Sequence, residues 1–260
     1  MFLNYDQSFL FCGQKLSGLS DLTFESDFGV GFLTTLGNKQ FGFQKTQPSV
    51  GRVDFSRSLI YNDPVLAYTG NSPCSGMFSY GGINNGFESG YLDRYSVSCS
   101  VGQVPNVSAS ISVYGEMKSG AAIQTETAHP EIFIPSPKSI TVLNDYVSSN
   151  RANSIQWSVE CPRKVRYTIG DNLFPTVEHL SPLKISAEIS FDVVGFSALD
   201  LQNFARYISA PNFSVTIKNR DLSQTLMTLP VPNAQIVGQT IQGTVDSPLS
   251  LVLNYEGYLE

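Results

Sequence analysis

Two histidines, His129 and His179, four cysteines and a scatter of carboxylates are the side chains of this 260-residue chain best suited to acid–base, nucleophilic or metal chemistry. A histidine ligand or general base needs a partner set at a workable spacing, and neither histidine has Cys, Asp or Glu placed that way. Both are expected to be solvated loop residues. Cys12, Cys74, Cys99 and Cys161 form no CxxC pair and lie too far apart for a compact disulfide framework, so free thiols are expected. Glu25 with Asp27, and Asp54 with Glu188, could supply the paired carboxylates of a glycosidase. All four sit in alternating segments that turn them to a solvated face. The Gly29–Gly31 stretch does not complete a dinucleotide fingerprint, and there is neither a phosphate loop nor a GxSxG elbow. No catalytic, metal-ligating or cofactor-binding residue is expected, and the chain does not read as an enzyme.

Composition points to what must hold these residues. Charged residues make up 15% against a usual level of roughly 25%, while apolar residues make up 42%. Such a chain is too apolar for disorder and suits β-structure with hydroxyl-rich faces. A net charge of −6 and a pI near 4.9 argue against ordinary nucleic-acid binding, which needs a basic patch. No run of about 18 apolar residues is present, so no membrane helix is expected, and the N-terminus lacks the basic and apolar regions of a signal peptide.

Alternation of apolar residues with serine marks strands at Val107–Val113, Tyr95–Val101, Val53–Phe55, Ile185–Val193, Phe213–Ile217 and Leu249–Tyr255. Turn clusters at Tyr80–Gly86 and Ile217–Ser223 read as hairpin connections. One amphipathic helix is predicted from Ser197 to Ser209, with Leu201, Phe204, Ala205 and Ile208 on one stripe. A second, short helix is predicted after Asn62 or Asp63, with Pro64 at its first position and Gly70 beyond its end.

The chain also repeats itself. "LGNKQFGFQKTQPSVGRVDFS" at Leu36–Ser56 parallels "IGDNLFPTVEHLSPLKISAEIS" at Ile169–Ser190. Gly37 and Gly170 are 133 positions apart, and Pro48 and Pro182 are 134 apart, which implies one inserted residue between them. At these offsets Leu22 and Phe24 match Ile155 and Trp157, and Val53 and Phe55 match Ala187 and Ile189. The order strand, Gly turn, Phe, polar loop, Pro, strand, helix predicts two tandem copies of one domain. They are expected at residues 1–120 and 151–260. An extended, proline-bearing linker or arm at 121–150 would carry Ile132, Phe133 and Ile134 as candidates for contact with a neighbouring subunit.

"IQWSVECPRKVRYTIGDNLFPTVEHLSPLKISAEISFDV", from Ile155 to Val193, resembles the tube domains of phage tail tube (major tail) proteins. "LTFESDFGVGFLTTLGNKQFGFQKTQPSVGRVDFSRSL" and "GFESGYLDRYSVSCSVGQVPNVSASISVYGEM" are similar to the corresponding parts of that family. The resemblance is one of pattern and order. It implies a mainly β fold of two β-sandwich or half-barrel domains, each with one short flanking α-helix. It implies trimeric rings of pseudo-sixfold symmetry, stacked as a virion tail tube assembled in the host cytoplasm. Its partners would be copies of itself, other tail or neck proteins, and viral DNA passing without specific binding; no membrane is involved. Long loops at Asn38–Gln47 and Asp171–Leu180 would reach the adjacent ring. Their candidate contact residues are Asn38, Lys39, Gln40, Phe41, Phe43 and Lys45, and Asp171, Asn172, Phe174, Glu178 and His179. Two other readings are open: a neck or decoration protein, and a glycan- or receptor-binding module, which would expose an aromatic platform.

Overall fold

The computed structural model describes residues 8–28, 30–34, 41–45, 48–59, 63–80, 83–115, 117–119, 133–143, 148–149, 152–168, 171–192, 209–244 and 247–259. Strands β1 (Ser8–Phe11), β2 (Gln14–Leu16), β3 (Leu19–Asp27), β4 (Val30–Thr34), β5 (Phe41–Lys45) and β6 (Val50–Ser58) come first. After a 3₁₀ turn at Pro64–Tyr68 follow β7 (Cys74–Tyr80), β8 (Ile83–Ser100), β9 (Asn106–Tyr114) and β10 (Lys118–Ser119). The remainder holds β11 (Ile140–Leu143), β12 (Ser148–Ser149), β13 (Ala152–Glu160), β14 (Arg163–Thr168) and β15 (Asp171–His179). It ends with β16 (Leu183–Asp192), β17 (Ser209–Lys218), β18 (Thr225–Thr244) and β19 (Ser247–Leu259). The fold is mainly β, as the alternating serines predict, and all pairings among the described residues are antiparallel.

One run of the sheet reads β3-β6-β9-β8-β13-β16-β19-β18. It is backed by a second layer. Phe24 of β3 meets Phe78 of β7 with ring centroids 5.1 Å apart, and Phe9 of β1 meets Phe55 of β6 at 5.4 Å. None of these strands is a hydrogen-bonded neighbour of the other, so the contacts cross between faces, as in a sandwich. Further along, Phe213 of β17 stacks on Tyr255 of β19 at 4.1 Å, and the Trp157 Nε1–H donates to the Pro230 carbonyl at 3.1 Å. The long strands β8 and β18 serve both layers. Each carries an irregularity where it changes neighbours, between Leu92 and Arg94 and between Ile236 and Gly238.

Pairing registers recur along the chain. Phe24 faces Val53, and Trp157 faces Ala187. Phe32 faces Phe43 in the β4–β5 hairpin, and Val165 faces Val177 in the β14–β15 hairpin. Phe9 faces Phe78, and Val142 faces Val215. Val97 faces Val107, and Ile241 faces Leu251. β11 and β12 lie within the segment read as a linker, and β11 is hydrogen-bonded to β17.

The segments read as long loops are instead hairpin arms where they are described: 41–45 is β5 and 171–179 is β15. Polar residues in these segments do not prevent strand pairing, because the backbone supplies the ladder bonds. The first of the two expected α-helices is a single 3₁₀ turn. Asp63 caps it by accepting from the Val65 N–H at 2.9 Å, and five residues are too few for a run of α-helical hydrogen bonds. The segment read as the second helix, 197–208, lies outside the described residues; Ser209 opens β17.

Two features set the core apart from a plain apolar one. Arg57 and Asp63 form a fully buried ion pair, and Asp63 Oδ2 also accepts from the Tyr95 hydroxyl at 2.9 Å. The second is a close fit of small residues around a large one. Gly76 faces Phe87 between β7 and β8, whereas between β17 and β18 Phe213 faces Val231. A Cβ on Gly90 would meet the Phe87 ring at 2.5 Å and Ile111 at 2.9 Å. Cys74, Cys99 and Cys161 are buried free thiols, and Cys12 is half-buried. Burial pushes Cys74 and Cys99 up to about 12 and Cys161 up to about 11, so all three stay protonated and unreactive.

Two stability predictions follow from this packing. Asp63→Ala strands the Arg57 guanidinium without water and is expected to cost about 3–5 kcal/mol in urea unfolding. Gly90→Ala overpacks its site and is expected to cost about 1–3 kcal/mol. Combined with Phe87→Val, it should cost clearly less than the two single changes added together; strict additivity in the double-mutant cycle would show that the ring does not crowd this site.

Candidate functional site

Alternation along the run β3-β6-β9-β8-β13-β16-β19-β18 sends one set of side chains into the core and the other to a shared outer face. The registers fix which residues meet there. Glu25 lies opposite Arg52, Asp54 opposite Ser110, and Arg94 opposite both Ser110 and Glu160. Gln156 lies opposite Glu188, which lies opposite Asn254, and Ser186 lies opposite Glu256. Between these charges run short hydroxyls: Ser56, Ser96, Ser98, Ser108 and Ser158. The middle of this face is a shallow concave groove bordered by Arg94, Ser96, Gln156, Ser186, Glu188 and Glu256.

Hydroxyls dominate the middle of the face because serine alternates with apolar residues in β8, β9, β13 and β16. Ser56 and Ser108 bond across strands at 3.3 Å, and the Ser96 hydroxyl donates to the Ser108 carbonyl at 3.4 Å. The cations are largely engaged: Arg52 Nε donates to Asp54 at 2.8 Å, and Lys184 Nζ lies 2.9 Å from Glu256. Both cations are held above their ordinary values by these carboxylates. Asp21, Glu25, Glu160 and Glu188 lean the field of the face toward negative.

At the rim of the face, where β8 meets β13, sit residues that the sequence did not single out. Arg163 Nη2 donates to the carbonyls of Gly70 at 2.8 Å and Leu92 at 3.1 Å, and its guanidinium lies 5.1 Å from the Tyr91 ring centroid. Asp93, in the irregular stretch of β8, accepts the Cys161 N–H on its carbonyl at 2.7 Å and the Ser112 hydroxyl on its carboxylate. Burial raises the Asp93 carboxyl above its ordinary value, against the opposing pull of Ser112 and Arg163. The sequence signal for this bend was the odd spacing from Leu92 to Tyr95, which breaks an otherwise strict alternation.

The residues read as ring-contact candidates fall apart from this face. Phe41, Phe43 and Lys45 lie on β5, and Asp171, Asn172, Phe174, Glu178 and His179 lie on β15. Asn38, Lys39, Gln40 and Ile132 lie outside the described residues. Glu178 pairs with Arg166 at 2.9 Å, and burial, with Arg163 nearby, lowers the His179 pKa. Phe133 packs against the core, while Ile134 is exposed. Among the described residues no three His, Cys, Asp or Glu side chains gather as metal ligands. Glu25 and Asp27 share a face with Asp54 as expected, but that face is broad and shallow. Trp157 is 3% exposed, so the chain's single tryptophan supplies no sugar-stacking platform.

Asp93 gives a pH prediction. Its folded-state pKa lies above the unfolded value of 3.8, so the folded protein is favoured by the protonated form, and stability is lost as pH rises through that window. Asp93→Asn, which keeps the shape and an acceptor for Ser112, is expected to raise the urea midpoint at neutral pH. The gain should shrink as pH falls through the carboxylate range; a gain that does not change with pH would assign the effect to packing instead.

No protein-family model matches the chain, and no curated protein matches it.

Proposed function

We propose that the chain is a non-enzymatic structural protein of the tail-tube type, built from two copies of one β-unit, which assembles with copies of itself into rings stacked around a lumen. The observation that carries this reading is the run β3-β6-β9-β8-β13-β16-β19-β18, which has one polar, acid-leaning face and ends in strands with room for another neighbour. Recurrent registers support duplication, because chance alternation would not place Phe24 opposite Val53 and Trp157 opposite Ala187 at the offsets read from the sequence. A face of short hydroxyls with net negative charge suits a passage for DNA, since like charges repel through water and leave no phosphate-binding site. The two hairpins β4–β5 and β14–β15 leave corresponding places in the two halves and would reach between rings. The burial of Trp157 keeps the chain's single tryptophan out of any glycan platform and weighs against the glycan-binding alternative; a neck or decoration role shares every feature except polymerisation.

Negative-stain electron microscopy of the concentrated chain, with sedimentation velocity on the same sample, tests the proposal. Rings of three chains, or hollow tubes built from them, are the expected result. A monomer at every concentration and salt condition would favour a decoration or neck role.

A further inference from the structure

β13 joins the rest of the sheet by lying along one edge of β8, and this joint has a counterpart that a single chain leaves open. In the joint, Trp157 faces Val97, Ser158 faces Ser96, and the Cys161 N–H reaches the Asp93 carbonyl just past the last pair. By register, β3 corresponds to β13: Phe24 and Trp157 face Val53 and Ala187, 133 positions apart on the one side and 134 on the other. By the same test β18 corresponds to β8 at a separation of 144. Val97 and Ile241 face Val107 and Leu251, and the irregular stretch after Leu92 recurs after Ile236.

Among the described residues the corresponding edges have no partner strand. β17 leaves β18 at Gln235, and among the described residues no strand pairs with the outer edge of β18 from Gly238 to Thr244 or with the outer edge of β3. Burial records the difference. Val97 is 1% exposed in the joint and its counterpart Ile241 is 55% exposed. Cys161 is 2% exposed and its counterpart Phe28 is 66% exposed, while Val237, in the place of Asp93, is 56% exposed. Thus several of the most exposed large apolar residues stand where the internal joint buries its own.

We infer that β3 of one copy adds antiparallel to the outer edge of β18 of the next copy, in the register of the internal joint. Phe24 then faces Ile241, Glu25 faces Thr240, and the Phe28 N–H meets the Val237 carbonyl. The occupant is a second copy of this chain because both halves of the joint are present on it, in matching register and with matching irregularity. No like charges are brought opposite each other, since Asp21, Glu25 and Asp27 would meet Thr244, Thr240 and Gly238. Unpaired strand edges of this length are otherwise templates for uncontrolled pairing, and this contact would satisfy both. Because the two edges differ, the contact is head-to-tail and closes into a ring or continues as a filament. The inference rests on the self-assembly proposed above and names its interface.

Cysteine cross-linking tests it in a Cys12→Ser background. Glu25→Cys combined with Thr240→Cys, under mild oxidation, is expected to give a ladder of covalent oligomers linked 25 to 240 by peptide mapping. Asp21→Cys with Thr240→Cys, four residues out of register, is expected to give none. Ile241→Lys, at an exposed position, should abolish oligomers in sedimentation while leaving the unfolding midpoint unchanged. Rings or tubes that form without the 25–240 link and survive Ile241→Lys would overturn the joint while leaving self-assembly standing. Absence of both links and oligomers would overturn both. A 25–240 link in short chains that build neither rings nor tubes would uphold the joint and overturn the tube.

Discussion

A strand has two edges, and every backbone group along a buried edge must find a partner. β8 meets that constraint by dividing its length. Near its start it holds β7 on one side and β10 on the other; past its bend it holds β9 and β13. The two layers, the passage from the first part of the chain to the second, and the polar face all follow from this division. The bend lets one strand belong to both layers, and the edge vacated by β7 is where β13 attaches.

Around that backbone the core is mostly apolar, with one costly exception. Arg57, Asp63 and Tyr95 bury charge and hydroxyl together beneath the 3₁₀ turn. An ion pair without water adds little net stability over apolar packing, but leaving either partner alone is severe. It ties β6, the turn and β8 to one arrangement.

Much of the architecture was legible because period-two alternation is a direct record of which side of a strand is buried. Ile111 and Val113 against Ser110 and Ser112 announce β9. Polar stretches carry no such record. The segments that form β5 and β15 looked like loops, because ladder bonds come from backbone atoms and leave no mark on side-chain type. The joint between β8 and β13 was hidden for the same reason: an edge is a property of neighbours, not of a sequence window. Asp93 and Arg163 owe their roles to that joint, so they could not be singled out beforehand. The polar face was legible as serine on the off-beat, while its groove depends on strand order.

The fit of Gly76 and Gly90 around the Phe87 ring has an evolutionary consequence. No single replacement leads smoothly away from it: adding a side chain at 76 or 90 first collides with the ring, and trimming the ring first leaves a hole. The three positions are therefore entrenched, with a valley of lower fitness around them, and they can change only together.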